Sequence, residues 1–235
     1  DRGGGLRTQN GNADFQTILK ALRGCGYAVG WRSIDARHFV PQKRLRVYIV
    51  CIRSEIHEER MARSQKGLVG GTRLEESSRR LFNGESVACG EDVIDWPNSD
   101  SSIPGNLALK DILETSSDCG LTAEQWAKVV EHESENVNTR LLDENSDWVG
   151  ALRSSYRCDW KRASQFVHRE GSTPRFLTPR ECARLMGFPD SFQIVDAHSF
   201  YKQIGNSVVP AVIESIGRAM MDVISTCSCK PTTCQ

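Results

Sequence analysis

The stretch PQKRLRVYIVCI, residues 41–52, decides the fold class. Its second part, residues 45–52, is almost continuously apolar, and such a strand is typical of a sheet that is buried on both faces by helices. A second strand is predicted upstream at residues 27–34, after an amphipathic helix at about residues 14–24. This order of elements predicts an α/β protein.

Polar side chains alternate along the start of the apolar strand. Gln42, Arg44 and Arg46 are two residues apart, so an extended chain points all three the same way. Two guanidinium groups and an amide on one side can bind phosphate oxygens or a base edge. A basic strand edge that discourages aggregation has the same pattern. The motif alone leaves both interpretations open.

A second motif, FLTPRECARLMGFPDSF at residues 176–192, predicts a short helix over residues 178–186. Thr178 is a good N-cap, and Glu181 completes a capping box with it. Gly187 can take the left-handed conformation that ends a helix. The helix carries two arginines four residues apart on one face: Arg180 and Arg184. A solvated basic face is the simplest interpretation, and contact with phosphate is the functional one.

A third motif, YKQIGNSVVP at residues 201–210, precedes a long apolar stripe that predicts a final helix at about residues 207–224. Asn206 and Ser207 can cap this helix, and a helix N-terminus favours anionic ligands. Capping alone explains the residues equally well.

Charge is distributed unevenly although the net charge is zero. Residues 1–53 hold ten basic and three acidic side chains, whereas residues 54–150 hold nine and twenty. The middle predicts an irregular acidic region with helical patches near residues 107–114 and 122–131, and residues 1–12 read as a loop. A polyanionic partner is plausible for the basic ends.

The nine cysteines are spread singly along most of the chain, which suits buried thiols in a reducing compartment. Three cluster in the C-terminal tail, too few for a closed metal site: Cys227, Cys229 and Cys234. We therefore expect no metal. No apolar run of about 18 residues and no signal-peptide pattern occurs, so we expect no membrane span and an intracellular protein, nuclear if eukaryotic and otherwise cytoplasmic.

Taken in order, the three motifs resemble the C-terminal portion of the cytosine-5 DNA methyltransferase family. The segment DFQTILKALRGCGYAV, residues 14–29, extends the resemblance upstream. The likeness is firm over residues 13–53 and 174–224 and loose over residues 54–150, where the family carries its target-recognition region. It implies a partial S-adenosylmethionine-dependent methyltransferase (Rossmann-like) fold plus a smaller, irregular target-recognition domain.

The resemblance also implies a division of the chain. Residues 1–55 would be the C-terminal part of the catalytic α/β domain and residues 56–173 the target-recognition region. Residues 174–235 would hold the small-domain helix and a final helix returning to the catalytic domain.

Roles for single residues follow from the resemblance. Arg46 would contact a flipped cytosine and the family's catalytic glutamate, with Arg44 in support. Arg44 and Gln42 would hold nearby backbone and loop, and Asn206 and Ser207 would line the S-adenosylmethionine pocket. The basic aromatic stretch ALRSSYRCDWKRASQFVHR would face DNA. The expected nucleic-acid contacts are Gln42, Arg44, Arg46, Arg153, Tyr156, Arg157, Lys161, Arg162, Arg169, Arg180 and Arg184.

The family's nucleophile, a cysteine that follows a proline, does not occur here, and neither does its glycine-rich cofactor loop. The tripeptide at residues 135–137 matches the family's Glu-Asn-Val motif only in letters, because it follows the arginine strand. HFVPQ also lacks a glycine often found in this loop, which affects the register of Arg44 and Arg46. We expect a piece of a longer protein that, alone, neither binds S-adenosylmethionine tightly nor methylates, and that exposes apolar edges.

Two alternatives stay open beside DNA methylation. One is an RNA cytosine-5 methyltransferase of the same fold. The other is a noncatalytic remnant that only binds nucleic acid or a partner chain.

Overall fold

A computed structural model describes residues 13–67, 92–97, 109–114, 119–133, 140–158 and 165–226 of the 235-residue chain. Several predicted features lie outside the described residues: the loop at 1–12, the tripeptide at 135–137, Lys161, Arg162 and the three tail cysteines. Contacts divide the chain into two compact units. One comprises residues 1–34, 45–101 and 214–235, and the other residues 35–44 and 102–213.

The described elements, in chain order, are α1 Ala13–Gly24, β1 Tyr27–Asp35, a 3-10 turn Ala36–His38, β2 Gln42–Lys43, β3 Leu45–Arg53, α2 Ser54–Gly67, α3 Leu109–Ile112, α4 Ala123–Glu133, β4 Arg140–Leu142, β5 Val149–Gly150, β6 Gln165–Val167, α5 Pro179–Leu185, α6 Ala197–Asn206 and α7 Pro210–Thr226. Strands β1 and β3 form one two-stranded sheet. Two parallel pairs, β2 with β5 and β4 with β6, form the others. Among the described helices, none has the length and apolar character needed to cross a lipid bilayer.

The first unit is built around α1 packed on the β1–β3 sheet. Phe15 and Leu19 of α1 are buried with Val29 of β1, and Phe15 meets Trp31 edge to face at 5.0 Å. The predicted helix and both predicted strands are confirmed to within one residue. The prediction that β3 is buried on both faces is wrong, because most of its apolar side chains are half-exposed. The described sheet has only two strands, so each keeps an unpaired edge.

The second unit has an apolar core in which aromatic rings meet at their edges. Tyr156 and Phe176 have ring centroids 5.8 Å apart, and Phe166 lies 5.3 Å from Phe176. Edge-to-face rings at these distances gain a further contribution beyond burial. Helix α5 borders this core and buries Cys182 and Leu185.

Helix α5 forms as predicted. Thr178 caps it by accepting from the Glu181 amide, and Glu181 accepts in return from the Thr178 amide. Gly187 has φ 82° and ends the helix. The predicted patches in the middle of the chain correspond to α3 and α4, whereas α2 had been read as irregular chain.

The final helix begins later than predicted, and this changes the role of two residues. Asn206 ends α6, Ser207 is its C-cap, and α7 starts only at Pro210. Asn206 and Ser207 therefore do not cap the final helix, which corrects the prediction. Helix α6 itself was missed, although Asp196 caps it by accepting from the amides of His198 and Ser199.

Candidate functional site

The carboxylate of Asp35 closes the short segment of residues 35–44 on itself. Asp35 accepts from the backbone amide of Arg44 at 3.0 Å and from that of Arg37 at 3.1 Å. It also pairs with the Arg37 guanidinium at 2.8 Å. Because these bonds close the segment on itself, they fix where the Arg44 side chain starts.

The guanidinium of Arg44 joins three backbone carbonyls from two distant parts of the chain. Its Nη1 donates to the Leu152 carbonyl at 3.0 Å, and its Nη2 donates to the carbonyls of Gly205 and Ser207 at 2.8 and 2.7 Å. The side chain is 3% exposed. Arg44 thus bonds to backbone of residues 152 and 205–207, and its part in the activity stays a prediction.

Gly205 makes this convergence possible. A Cβ placed on Gly205 would fall on backbone atoms of Arg153 and Ser154. Backbone atoms cannot move aside as a side chain tip can, so this approach requires glycine. Residues 152–154 and the Gly-Asn-Ser turn are thus in direct contact, with Arg44 bonded to both.

Burial corrects the expectation of direct nucleic-acid contact for three residues. Arg44 is bonded to carbonyls, and Gln42 is fully buried, with no hydrogen-bond partner for its side-chain amide among the described residues. Tyr156 is 2% exposed, donates to the Gln165 carbonyl at 3.0 Å and accepts from the Leu177 amide at 2.9 Å. Side chains do alternate along this segment, because Lys43 and Leu45 are exposed. The side that Gln42 and Arg44 share, however, faces the protein interior.

Arg46 remains half-exposed. Its guanidinium donates to the carbonyl of Leu45 at 2.8 Å. Its predicted contact with a flipped base stays a prediction.

The two arginines of α5 differ in their pairing. Arg184 is bound by Asp190 through two bonds of 2.7 and 2.9 Å, and Glu114 lies 3.8 Å away. The hydrogen bond between Arg184 and Asp190 lowers the pKa of Asp190 and raises that of Arg184. Contact of Arg180 or Arg184 with a phosphate stays a prediction.

A buried ion pair beside α5 was not predicted from the sequence. Glu181 is fully buried and accepts from Nη1 and Nη2 of Arg175 at 2.8 and 2.7 Å. It also accepts from the amides of Thr178 and Glu114, so its oxygens are well satisfied. Burial lowers the pKa of Arg175, but the hydrogen bond and charge of Glu181 more than offset this and raise it. The sequence signal that could have indicated this ion pair is the position of Arg175, six residues before Glu181.

The predicted basic aromatic stretch is only partly at the surface. Arg153 is exposed, whereas the Arg157 guanidinium lies over the Phe176 ring with its Cζ 4.1 Å from the centroid. Arg169 is exposed. Of this stretch, Arg153 and Arg169 are thus free of burial, and their contact with nucleic acid stays a prediction.

The residues predicted to line a cofactor pocket lie at the end of α6. The Asn206 side chain is exposed. The Ser207 hydroxyl donates to the Val208 carbonyl at 3.2 Å, while its own carbonyl is held by Arg44. Arg44 therefore fixes the backbone on which both polar side chains stand.

The described cysteines include two that are poor nucleophiles. Burial raises the pKa of Cys182 well above its ordinary value, and burial also raises that of Cys51. The thiolate is the nucleophilic form, so neither side chain suits covalent attack at neutral pH.

Comparison with known proteins gives a consistent result. The family model for C-5 cytosine-specific DNA methylase matches residues 4–222. Type II methyltransferase M.DsaV of Dactylococcopsis salina is 29% identical over 232 residues, covering 94% of this chain and 55% of the relative. Type II methyltransferase M.NlaX of Neisseria lactamica is 27% identical over 95% of this chain and 62% of the relative. The chain spans little more than half the length of these curated relatives.

Solved structures agree on the fold. The crystal structure of S. pombe Dnmt2 methyltransferase superposes with a TM-score of 0.58 at 16% identity, covering 93% of this chain and 63% of that one. A Spodoptera frugiperda DNMT2 mutant gives a TM-score of 0.59 at 14% identity, with 91% and 64% covered. The prediction of a partial methyltransferase α/β fold is confirmed.

Proposed function

The chain belongs to the C-5 cytosine-specific DNA methylase family, and from that premise we propose that it is the C-terminal portion of an enzyme that methylates C5 of cytosine in DNA. The methyl donor would be S-adenosylmethionine. C5 is not reachable inside the base stack, so the target cytosine would be flipped out of the duplex.

The observation that supports this proposal most is the bonding of Arg44. One guanidinium connects the arginine strand, the segment that begins at Leu152 and the turn at residues 205–207. These are the same three regions that the family resemblance assigns to base contact, target recognition and cofactor binding. Arg44 would hold them in register, so that the base and the methyl donor meet in one geometry.

The residues at the end of α6 fit the proposed cofactor chemically. The exposed Asn206 amide offers both donors and an acceptor to an amino-acid moiety, and Ser207 adds a hydroxyl oxygen that can still accept. When bound, S-adenosylmethionine supplies the methyl group. The protein's part here is to orient it through a backbone that Arg44 keeps fixed.

Arg46 would act on the base itself. A guanidinium donor at the edge of a flipped cytosine can hold the ring and stabilise negative charge that develops as a nucleophile adds to C6. Arg46 is half-exposed and bonded only to the neighbouring carbonyl of Leu45 in the described residues. A modest change of rotamer would free its donors.

The nucleophile would come from polypeptide outside this chain. None of the nine cysteines follows a proline, and the pKa values of Cys182 and Cys51 are raised. The partner segment would be the N-terminal half of the same catalytic domain, which also explains the half-exposed apolar strand β3. Such an enzyme would act where DNA is, in the nucleus of a eukaryote or otherwise in the cytoplasm.

The test uses the complete gene product that contains this chain. The protein is incubated with isotopically labelled S-adenosylmethionine and duplex DNA, and the DNA is digested and analysed for labelled 5-methylcytosine. We expect the product with the unaltered protein and a loss of about a hundred-fold in kcat for Arg46→Ala, since one missing donor costs this much. Arg53→Ala, an exposed arginine at the end of the same strand, is the matched control. Label in tRNA but not in DNA would replace the DNA assignment by the RNA alternative, and no label in either would overturn the proposal.

A further inference from the structure

A cluster of cations surrounds one indole ring in the second unit. The Cζ of Arg140 lies 3.8 Å from the Trp148 ring centroid, the Nζ of Lys43 lies at 5.3 Å and the Cζ of Arg37 lies at 5.9 Å. We call these four residues the Trp148 cluster.

Strand pairing explains how the cluster forms. Strand β2 runs parallel to β5, with Gln42 opposite Val149 and Lys43 opposite Gly150. Gln42 and Val149 are buried, so Lys43 and Trp148, one position along each strand, turn to the outer side. Arg140 begins strand β4, which precedes β5 along the chain and pairs with β6 in a separate sheet.

Two of the three cations have no acidic partner among the residues that the structure describes. Arg37 is paired with Asp35 at 2.8 Å. Within the part of the chain that the structure describes, neither Lys43 nor Arg140 has a carboxylate within ion-pair distance. Asp147, the residue before Trp148, is exposed. Like charges gathered around one ring repel each other, and a bound anion would remove that repulsion.

The geometry of Arg140 suits a phosphate. A guanidinium stacked on an indole keeps its N–H groups in its own plane, directed outward from the ring. It can therefore donate two parallel bonds to phosphate oxygens without leaving the ring. Lys43 is exposed and adds a compact charge near the same face.

We propose that the Trp148 cluster binds two phosphates of the DNA backbone and positions the duplex without reading its sequence. The inference rests on the proposed function for the choice of DNA. It goes beyond that function because the residues involved contact neither the base nor the methyl donor. Arg140 and Lys43 each bind one phosphate, while Arg37, neutralised by Asp35, contributes less.

The test measures how DNA affinity depends on salt. The chain is titrated into a fluorescently labelled, mixed-sequence duplex between about 50 and 200 mM KCl, and log K is plotted against log salt. For the double variant Lys43→Gln, Arg140→Gln we expect the slope to become shallower by about 1.8, since each phosphate contact contributes about 0.9. The matched control, Lys110→Gln with Lys128→Gln, removes two exposed positive charges from helices of the same unit and should leave the slope unchanged.

A charge-preserving variant guards against loss of folding. Lys43→Arg with Arg140→Lys should keep the wild-type slope. Equal slopes for the double variant and the control would overturn the inference, as would absence of DNA binding by the unaltered chain. A slope change seen with a single-stranded RNA probe but not with the duplex would overturn the DNA assignment. Methylation of cytosine is measured separately in the complete protein. If that protein methylates DNA while the double variant and the control give equal slopes, the proposed phosphate binding by the Trp148 cluster is refuted and the proposed function stands.

Discussion

Replacing Arg44 by methionine should strongly destabilise the second unit. Methionine keeps a flexible apolar stem of similar reach but removes all three bonds to the carbonyls of Leu152, Gly205 and Ser207. Bonds from a charged donor each contribute about 1.5 kcal/mol or more. Three of them give roughly 4.5 kcal/mol, from which the regained hydration of a buried charge subtracts a part.

We therefore expect Arg44→Met to lower the free energy of unfolding by about 3 to 4 kcal/mol. Urea denaturation followed by tryptophan fluorescence, to which Trp126 and Trp148 contribute from this unit, measures the change. With a urea m-value of about 2 kcal/mol/M, the midpoint would fall by roughly 2 M. The m-value itself should change little if the denatured state is unaffected.

Two further variants make this prediction specific. Arg53→Met removes an exposed guanidinium and should change stability by no more than about 0.5 kcal/mol. The unfolding free energy of Arg44→Lys should lie between those of the unaltered protein and Arg44→Met, because a single ammonium group cannot reach three carbonyls as the planar guanidinium does. A loss for Arg44→Met within about 1 kcal/mol of the Arg53 control would refute the view that this guanidinium connects the two chain segments.

Three more predictions concern Gly205, Cys182 and Asp196. Gly205→Ala places a methyl group on the backbone of Ser154 and should cost about 3 kcal/mol or more in the same urea experiment; a neutral result would contradict the close approach. Cys182, fully buried with a raised pKa, should react with iodoacetamide far more slowly than the exposed Cys25, as mapped by mass spectrometry, and equal rates would show that the α5 core opens readily. The bonds from Ser199 lower the pKa of Asp196 below 3.8 in the folded state. The stabilisation that the Asp196 carboxylate gives the folded state is therefore fully present above pH 3.8, and it is lost as the pH falls through the lowered pKa. The loss of unfolding free energy at acid pH should be smaller in Asp196→Asn. An unchanged pH dependence of the unfolding free energy below pH 3.8 would argue against this cap.

Local signals explain which parts of the fold could be read from the sequence. Helix α5 was predicted because Thr178, Glu181 and Gly187 each act within a few residues of the helix they bound. Strand β3 was predicted because the apolar run at residues 45–52 is almost continuous. Such features need no knowledge of the rest of the chain.

Nonlocal features could not be read in the same way. The acceptors of Arg44 are backbone carbonyls, which every residue possesses, so no side chain marks Leu152 or Gly205 as its partners. The alternation of Gln42 and Arg44 predicted a shared side but not whether that side faces solvent or protein. Tyr156 was assigned to a surface because basic residues flank it, whereas its hydroxyl lies among the buried amide and carbonyl groups of Leu177 and Gln165.

The order in which this unit is synthesised follows from its connectivity. Residues 35–44 leave the ribosome well before the carbonyl of Gly205 that Arg44 needs, because Gly205 is 161 residues farther along the chain. At about 5–20 residues per second, that interval lasts roughly ten to thirty seconds. During this time the guanidinium of Arg44 and the unpaired edge of β2 must remain solvated in the nascent chain. Translation rate should therefore affect the yield of properly folded protein. Faster elongation shortens the time for which residues 35–44 stay exposed, and should raise that yield.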